Sequence, residues 1–517
     1  MDPEKATKRR LRVWHATLAL VLCTGLAATV VLVAGSGSAA KPYDFNGDGK
    51  PDFTVGAPGD TVGTNPRAGS VTVANGTSTG PAASSVLLTQ NASGLSGAAE
   101  TDDNFGQTFT SADFDKDGYA DLAVSTPMEA LGTMTGAGSI TVHYGGSTGL
   151  SGAETDVFHE DVVGMPGEAG MDSVFGYALA SGDLNGDGYA DLAVGQPLDK
   201  AGGRSAAGSV RLLFGSSAGL TVSSAVWLDQ DSPHVPGGPE VSDRFGEQVA
   251  IGDINGDGDN DLVVSSIGEQ IPGSSDRGSI IVLFGPFGDA PTAGQYIGSA
   301  YVDGVSEFSG TALAVGDFND DPYMDVAVGV SDQLVGDDGA AGRLAVLYSD
   351  EDGLSYDRVK VLNQASPGIN STPEPEDYFA GSLAAGDFDA DGIDDLIVGM
   401  RSEAIAGATG AGSSMVLFGS SSKGITTAGA VTVHQDTEGV PGVVATGSHF
   451  GWTVGALDTN GDGRVEPLVG APGYGAGTVT VLKVRPGMLE SATAESQTSL
   501  GGGAAAGGDA FGIALPH

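Results

Sequence analysis

A nine-residue acidic pattern, D-x-[DN]-x-D-G-x-x-D, limits this chain more than any other feature. It starts at Asp44, Asp113, Asp183, Asp253, Asp317, Asp387 and Asp458, at spacings of 69, 70, 70, 64, 70 and 71 residues. Such self-similarity marks a repeat architecture, in which each unit is one supersecondary element. Every copy leads into a short apolar run: Phe53-Thr54-Val55, Leu122-Ala123-Val124, Leu192-Ala193-Val194, Leu262-Val263-Val264, Val326-Ala327-Val328, Leu396-Ile397-Val398 and Leu468-Val469. These runs are β-branched, brief and bounded by Gly or Ser, so they read as buried strands. A Gly-opened strand follows, as at Gly69-Ser70-Val71, Gly208-Ser209-Val210 and Gly278-Ser279-Ile280. Another comes after a Gly/Ser turn, as at Val226-Trp227-Leu228. A last one begins with Phe-Gly at Phe105, Phe175, Phe245 and Phe450, with looser forms at Phe308-Ser309-Gly310 and Phe379-Ala380-Gly381.

Four strands in roughly 70 residues make one propeller blade. The expected fold is therefore all-β, a seven-bladed β-propeller of four-stranded blades. The first acidic loop has no Phe-Gly strand before it, and Phe511-Gly512 has no acidic loop after it. The C-terminal Phe-Gly strand is thus expected to pair into the N-terminal blade and close the ring. Closure hides strand edges. A solenoid would need polar caps and would not require complementary ends.

Hard oxygen ligands at alternating positions suit Ca²⁺, and Gly at position six permits the sharp turn. Side chains at positions one, three, five and nine would ligate, with the carbonyl of position seven. The spacing is that of an EF-hand start, but strands flank it and the last acid stands at nine, so it reads as a β-hairpin calcium loop. Five copies are intact: Asp44, Asn46, Asp48, Asp52; Asp113, Asp115, Asp117, Asp121; Asp183, Asn185, Asp187, Asp191; Asp253, Asn255, Asp257, Asp261; and Asp387, Asp389, Asp391, Asp395. The seventh, Asp458, Asn460, Asp462, ends in the longer Glu466. The fifth, Asp317, Asn319, Asp321, Asp325, has Pro322 where Gly is expected, and Pro cannot make the same turn. Asp-Gly and Asn-Gly are common in plain turns. Turn chemistry alone accounts neither for four ligands in phase nor for seven copies. The expectation is up to seven Ca²⁺ ions, with loop 317–325 the doubtful one.

The chain has 66 Asp and Glu against 22 Lys and Arg, a formal net charge of −44. That excludes the phosphate neutralisation that nucleic-acid binding requires. It also disfavours an anionic membrane surface. Residues 1–40 stand apart. Lys5, Lys8, Arg9, Arg10 and Arg12 precede an apolar stretch from Ala16 to Ala34 and a small-residue run at Ser38-Ala39-Ala40. This reads as a signal peptide, with an uncleaved anchor as the alternative. Residues 41–517 are then the propeller, secreted or held facing outside. The one cysteine, Cys23, lies in the leader, so metal and ring closure stand where disulfides would in an exported protein.

Phe-Gly, the acidic loop and then Gly56-Ala57-Pro58 or Gly470-Ala471-Pro472 resemble the FG-GAP repeats of the integrin α-subunit N-terminal propeller. Bacterial exported FG-GAP proteins are similar. The Gly-Ala-Pro part is degenerate at Ser125-Thr126-Pro127, Gly195-Gln196-Pro197 and Ser265-Ser266-Ile267. The resemblance implies structural calcium and a ligand face opposite the calcium loops. That face would carry loops such as 59–68, 128–137, 198–207, 267–277 and 401–411, with 231–244 and 436–449 beside them.

Gly145–Gly149 and Gly215–Gly219 match G-x-S-x-G, yet both fall in the turn after the Gly-opened strand, without the strand–elbow–helix context of a nucleophile. The glycines of 407–412 and 473–477 imitate a dinucleotide loop by spacing alone. His143, His159, His234, His434, His449 and His517 form no zinc pattern. No catalytic constellation emerges. The expectation is a non-enzymatic, monomeric adhesion or protein-interaction module with an extracellular protein or glycan ligand. A lectin-like propeller and a phospholipase-associated FG-GAP protein are the alternatives.

Overall fold

The computed structural model describes residues 40–91, 97–150, 154–270, 277–302, 305, 308–335, 339–369, 371–502 and 510–517. The leader, save Ala40, lies outside them. The described residues form seven antiparallel sheets, each a meander whose strands pair in sequence order. Together they make the ring of a seven-bladed propeller. Blade three is representative: Ala178–Gly182, Asp191–Gln196, Ser209–Phe214 and Thr221–Leu228. Its second and third strands pair from Leu192↔Leu213 to Gln196↔Ser209. Six of the seven second strands are buried along their whole length, as in Asp191–Gln196 and Asp395–Met400, while the longer Asp261–Gln270 emerges at its end. Sheets packed on both sides demand this apolar continuity, and the short β-branched runs supply it. Fourth strands such as Thr221–Leu228 lie half-exposed at the rim.

Closure follows the expected route. The first blade has three long strands, Phe53–Ala57, Ser70–Thr77 and Gly80–Leu88. The segment at Phe511–Ala514 completes it. Gly56 N–H donates to Ala514 O at 3.0 Å, and Gly512 N–H donates to Gly56 O at 3.0 Å. Phe511 also bridges Gly477 of the last blade, as Phe105 bridges Gly69 and Phe245 bridges Gly208.

The Phe-Gly pair acts differently from a simple strand start. In blades two, three and seven the paired strand begins later, at Phe109, Ala178 and Val454. The Phe is fully buried against the preceding blade, as for Phe105, Phe175 and Phe245. The glycine of Gly-Ala-Pro faces the Phe-Gly glycine of the next blade. A Cβ on Gly56 would lie 2.3 Å from Gly106 O, and one on Gly470 would lie 2.1 Å from Gly512 O. Both motifs are thus parts of one blade-to-blade seam.

Because each sheet is a meander, first-to-second and third-to-fourth connections share one face of the ring. Second-to-third and blade-to-blade connections share the other.

Candidate functional site

Six acidic quartets lie in first-to-second connections, and the first, at 44–52, leads into the second strand of its blade at the same end, so all seven share one face. Position one organises each loop. Asp44 accepts from the N–H groups of Asp48 at 3.0 Å and Gly49 at 2.8 Å. Asp113, Asp253, Asp387 and Asp458 accept from the same two positions. Gly49 has φ +88°, a left-handed conformation that strains other residues.

Position nine is more than a ligand candidate. Asp121 Oδ2 accepts Phe114 N–H at 2.8 Å, and its Oδ1 accepts Gly145 N–H at 2.8 Å. Gly145 lies in the turn after the third strand, so one carboxylate ties that turn to the acidic loop. Asp52, Asp191, Asp261 and Asp395 repeat the arrangement through Gly76, Gly215, Gly285 and Gly419. Spacing alone did not disclose this tie. Nor did it single out position two, where Phe45, Phe114, Leu184, Ile254, Phe318 and Phe388 are fully buried and anchor the loop. Burial pushes Asp121 and Asp395 up to about 8 and Asp52 and Asp191 to about 7, with neighbouring loop carboxylates adding to the rise. Two backbone amides oppose that rise in each case.

The donor set fits a hard divalent cation. Oxygens of Asp113, Asp115 and Asp121, and of Asp387, Asp389 and Asp395, lie within 4.8 Å of one another. In the Asn-bearing loops, Asn185 and Asn255 turn their amide nitrogens to Asp187 and Asp257 at 3.1 Å.

The two departing loops each meet a cation from another strand, while in the first loop Lys50 itself lies 3.5 Å from Asp48. In the fifth, Arg358 approaches Asp321 at 3.3 Å, and Asn319 Nδ2 donates to Asp325 at 2.7 Å. Pro322 also lacks the N–H that Gly provides at position six elsewhere. In the seventh, Lys483 Nζ lies 3.0 Å from Glu466 and 3.5 Å from Asp462.

The opposite face has another character. Arg401, just past a second strand, stacks its guanidinium 3.9 Å from the Tyr378 ring centroid and 5.5 Å from that of Trp452. His449 meets Trp452 edge-on at 5.3 Å and contacts Arg401 O through Nδ1 at 3.0 Å. Trp452 remains 40% exposed. Met128, Met134, Val163, Met171, Val241, Leu334 and Val443, on connections of that same face, are exposed as well. Part of the expected 267–277 loop lies outside the described residues. Both G-x-S-x-G copies lie in third-to-fourth turns on the acidic-loop face. Among the described residues the only helical segment is the 3-10 turn Ser299–Tyr301, and no helix is long and apolar enough to cross a membrane.

Fold and loops define a repeat-built β-propeller with an acidic turn in each blade. The FG-GAP repeat family model matches residues 36–73, 105–143, 175–213, 245–283 and 450–482. The two units it passes over are those with the looser Phe308-Ser309-Gly310 and Phe379-Ala380-Gly381. Integrin alpha-PS5 of Drosophila melanogaster is 35% identical over 168 residues, 32% of this chain and 15% of that protein. Phosphatidylinositol-glycan-specific phospholipase D of Bos taurus is 33% identical over 188 residues, 36% of this chain and 22% of that protein. Integrin alpha-IIb of Mus musculus is 31% identical over 224 residues, 41% of this chain and 20% of that protein. The chain thus spans about a fifth of the length of these curated relatives. Five of its seven units thus match the FG-GAP repeat, and the chain is similar to part of the integrin α-subunits.

Proposed function

We propose that this protein is an exported, calcium-dependent propeller that binds an extracellular protein through the face opposite its acidic loops. The observation that carries this reading is the Tyr378–Arg401–Trp452–His449 cluster. Aromatic and arginine side chains that are part-buried, stacked and held in place are the residues that dominate binding energy at interfaces. Isolated exposed apolar residues are ordinary, but here they share the connections of one face with that cluster. Connections on a rigid ring suit recognition.

Calcium in this reading sits in the five intact loops and is structural. It would fix the first-to-second connections while the far face stays open for a partner. The loops at 317–325 and 458–466 already hold Arg358 and Lys483, which would compete with an ion. Export rests on the leader pattern at 1–40 and on the resemblance to the integrins.

The test is binding of the purified protein to arrays of matrix proteins and glycans, in calcium and then in chelator. The expected result is a calcium-dependent protein ligand whose affinity drops at least about tenfold in W452A and R401A. A hit confined to glycans would replace this reading with the lectin-like one. Binding untouched by both substitutions would move the ligand site elsewhere.

A further inference from the structure

A second polar layer lies between neighbouring blades, on the face away from the acidic loops. There the residue just past one blade's fourth strand meets the second-to-third connection of the next. Gln497 donates to Asp60 at 2.6 Å, Gln90 to Glu129 at 2.5 Å and Gln364 to Glu403 at 2.6 Å. Between blades two and three the corresponding residues are two acids, Glu160 and Asp199. Arg211 enters between them, fully buried, 2.7 Å from Glu160 and 3.3 Å from Asp199. Its guanidinium lies 4.3 Å from the Trp227 ring centroid. Charges taken out of water must be paired, and here the chain provides the cation itself.

Seventy residues further on, between blades three and four, the same places hold Gln230, Glu269 and Ile281. The arginine is gone, yet the acids have multiplied. Glu240 and Asp243 of the blade-to-blade connection join Glu269, and the three offer oxygens within 4.8 Å of one another. Asp243 is 0% exposed and Gln230 3%. Asp243 accepts the Glu240 N–H with one oxygen. Gln230 Nε2 donates to Glu269 at 2.5 Å. The remaining oxygens, Asp243 Oδ1 and Gln230 Oε1, are buried without a hydrogen-bond partner. Both belong to groups already fixed inside the cluster. Buried acceptors without a partner, beside converging carboxylates, call for a donor or a cation to satisfy them.

We propose that this junction binds a divalent cation through the carboxylates of Glu240, Asp243 and Glu269 and the Oε1 of Gln230. Three carboxylates and an amide oxygen are hard ligands, and their flexible placement suits Ca²⁺. The ion would do for blades three and four what Arg211 does for blades two and three. The same side chains recur at two further junctions, as Gln90, Glu100, Asp103, Glu129 and as Gln364, Glu374, Asp377, Glu403. There too the glutamine Oε1 is buried and unpartnered. The site is separate from the acidic loops.

The test counts bound Ca²⁺ per chain by equilibrium dialysis in the unchanged protein, in D243N/E269Q and in the loop variant D253N/D257N. Each double variant is expected to lose one ion, and their combination two. Removing the repulsion should leave D243N/E269Q melting at least as high as the unchanged protein in chelator, with a smaller rise on adding Ca²⁺. Glu240 is exposed, so E240Q is a mild companion variant, expected to weaken one site at least about tenfold, since each charged ligand contributes strongly to affinity. An unchanged ion count in D243N/E269Q, or unchanged affinities in E240Q, would overturn the proposal. Loss of an ion from D243N/E269Q but none from D253N/D257N would instead sink the loop reading and leave this one standing.

Discussion

Asp121 holds Phe114 N–H and Gly145 N–H at 2.8 Å each, while Asp117 stays exposed at the loop tip. The two should therefore fail differently. Asp121→Ala strands two backbone amides and is expected to cost about 3 kcal/mol even in chelator, read as a lower Tm. Asp117→Asn should leave the chelated Tm unchanged and reduce only the rise produced by calcium. The pH response follows from the same side chains. Burial raises Asp121 and Asp395 to about 8 and Asp52, Asp191 and Asp325 to about 7. In the unfolded chain these groups titrate near 3.9, so between pH 6.5 and 8 the folded state binds more protons than the unfolded one. Stability of the metal-free protein must then fall as pH rises through that window. The buried His143, lowered to about 4, acts in the opposite sense, but only below about pH 6.5 where the unfolded imidazole charges. Melting curves at pH 6.5 and 8 in chelator test the fall, and excess calcium should abolish it. At this scale the acidic loop positions were legible because their spacing is fixed in every copy. The amide tie at position nine was not, because Gly145 stands 24 residues from Asp121 and only the folded meander brings them together.

The strand is where sequence and structure agree most closely. Runs such as Leu192-Ala193-Val194 announced buried second strands because a strand covered on both faces admits little that is polar. The Phe-Gly and Gly-Ala-Pro motifs were visible as landmarks, but their shared seam was not, since it joins different blades. Gly195 shows what the seam requires. A Cβ there would lie 2.3 Å from Gly246 O, a backbone atom that cannot swing aside. Gly195→Ala is expected to cost about 1–3 kcal/mol through overpacking, measured as a shift in the denaturation midpoint with an unchanged slope. Pro322 and Lys483 mark the limit of reading elements from a pattern. The first was plain in the sequence, whereas the second reaches Glu466 from a neighbouring strand.

For the whole molecule, seven units and closure by the last Phe-Gly strand could be inferred because the copies kept phase over the full repeat region. Which side chains meet between blades could not, and Arg211 with its two acids is the clearest case. Calcium should act on the ring as a unit. At about 1 mM Ca²⁺ and a Kd near 10⁻⁴ M, each occupied loop adds roughly 1.4 kcal/mol, so chelation should lower the Tm substantially. A Tm indifferent to chelator would show that the loops hold no structural ion. The bond from Gln497 to Asp60 joins residues 437 apart in the chain, and the strand beside it completes a blade begun at Phe53. A ribosome delivers the first blade long before its innermost strand exists. Until then that blade offers an unpaired edge, and a paused or truncated chain would present it to any passing β-strand. The seal that makes the finished ring durable thus makes the growing chain dependent on synthesis reaching its final turn.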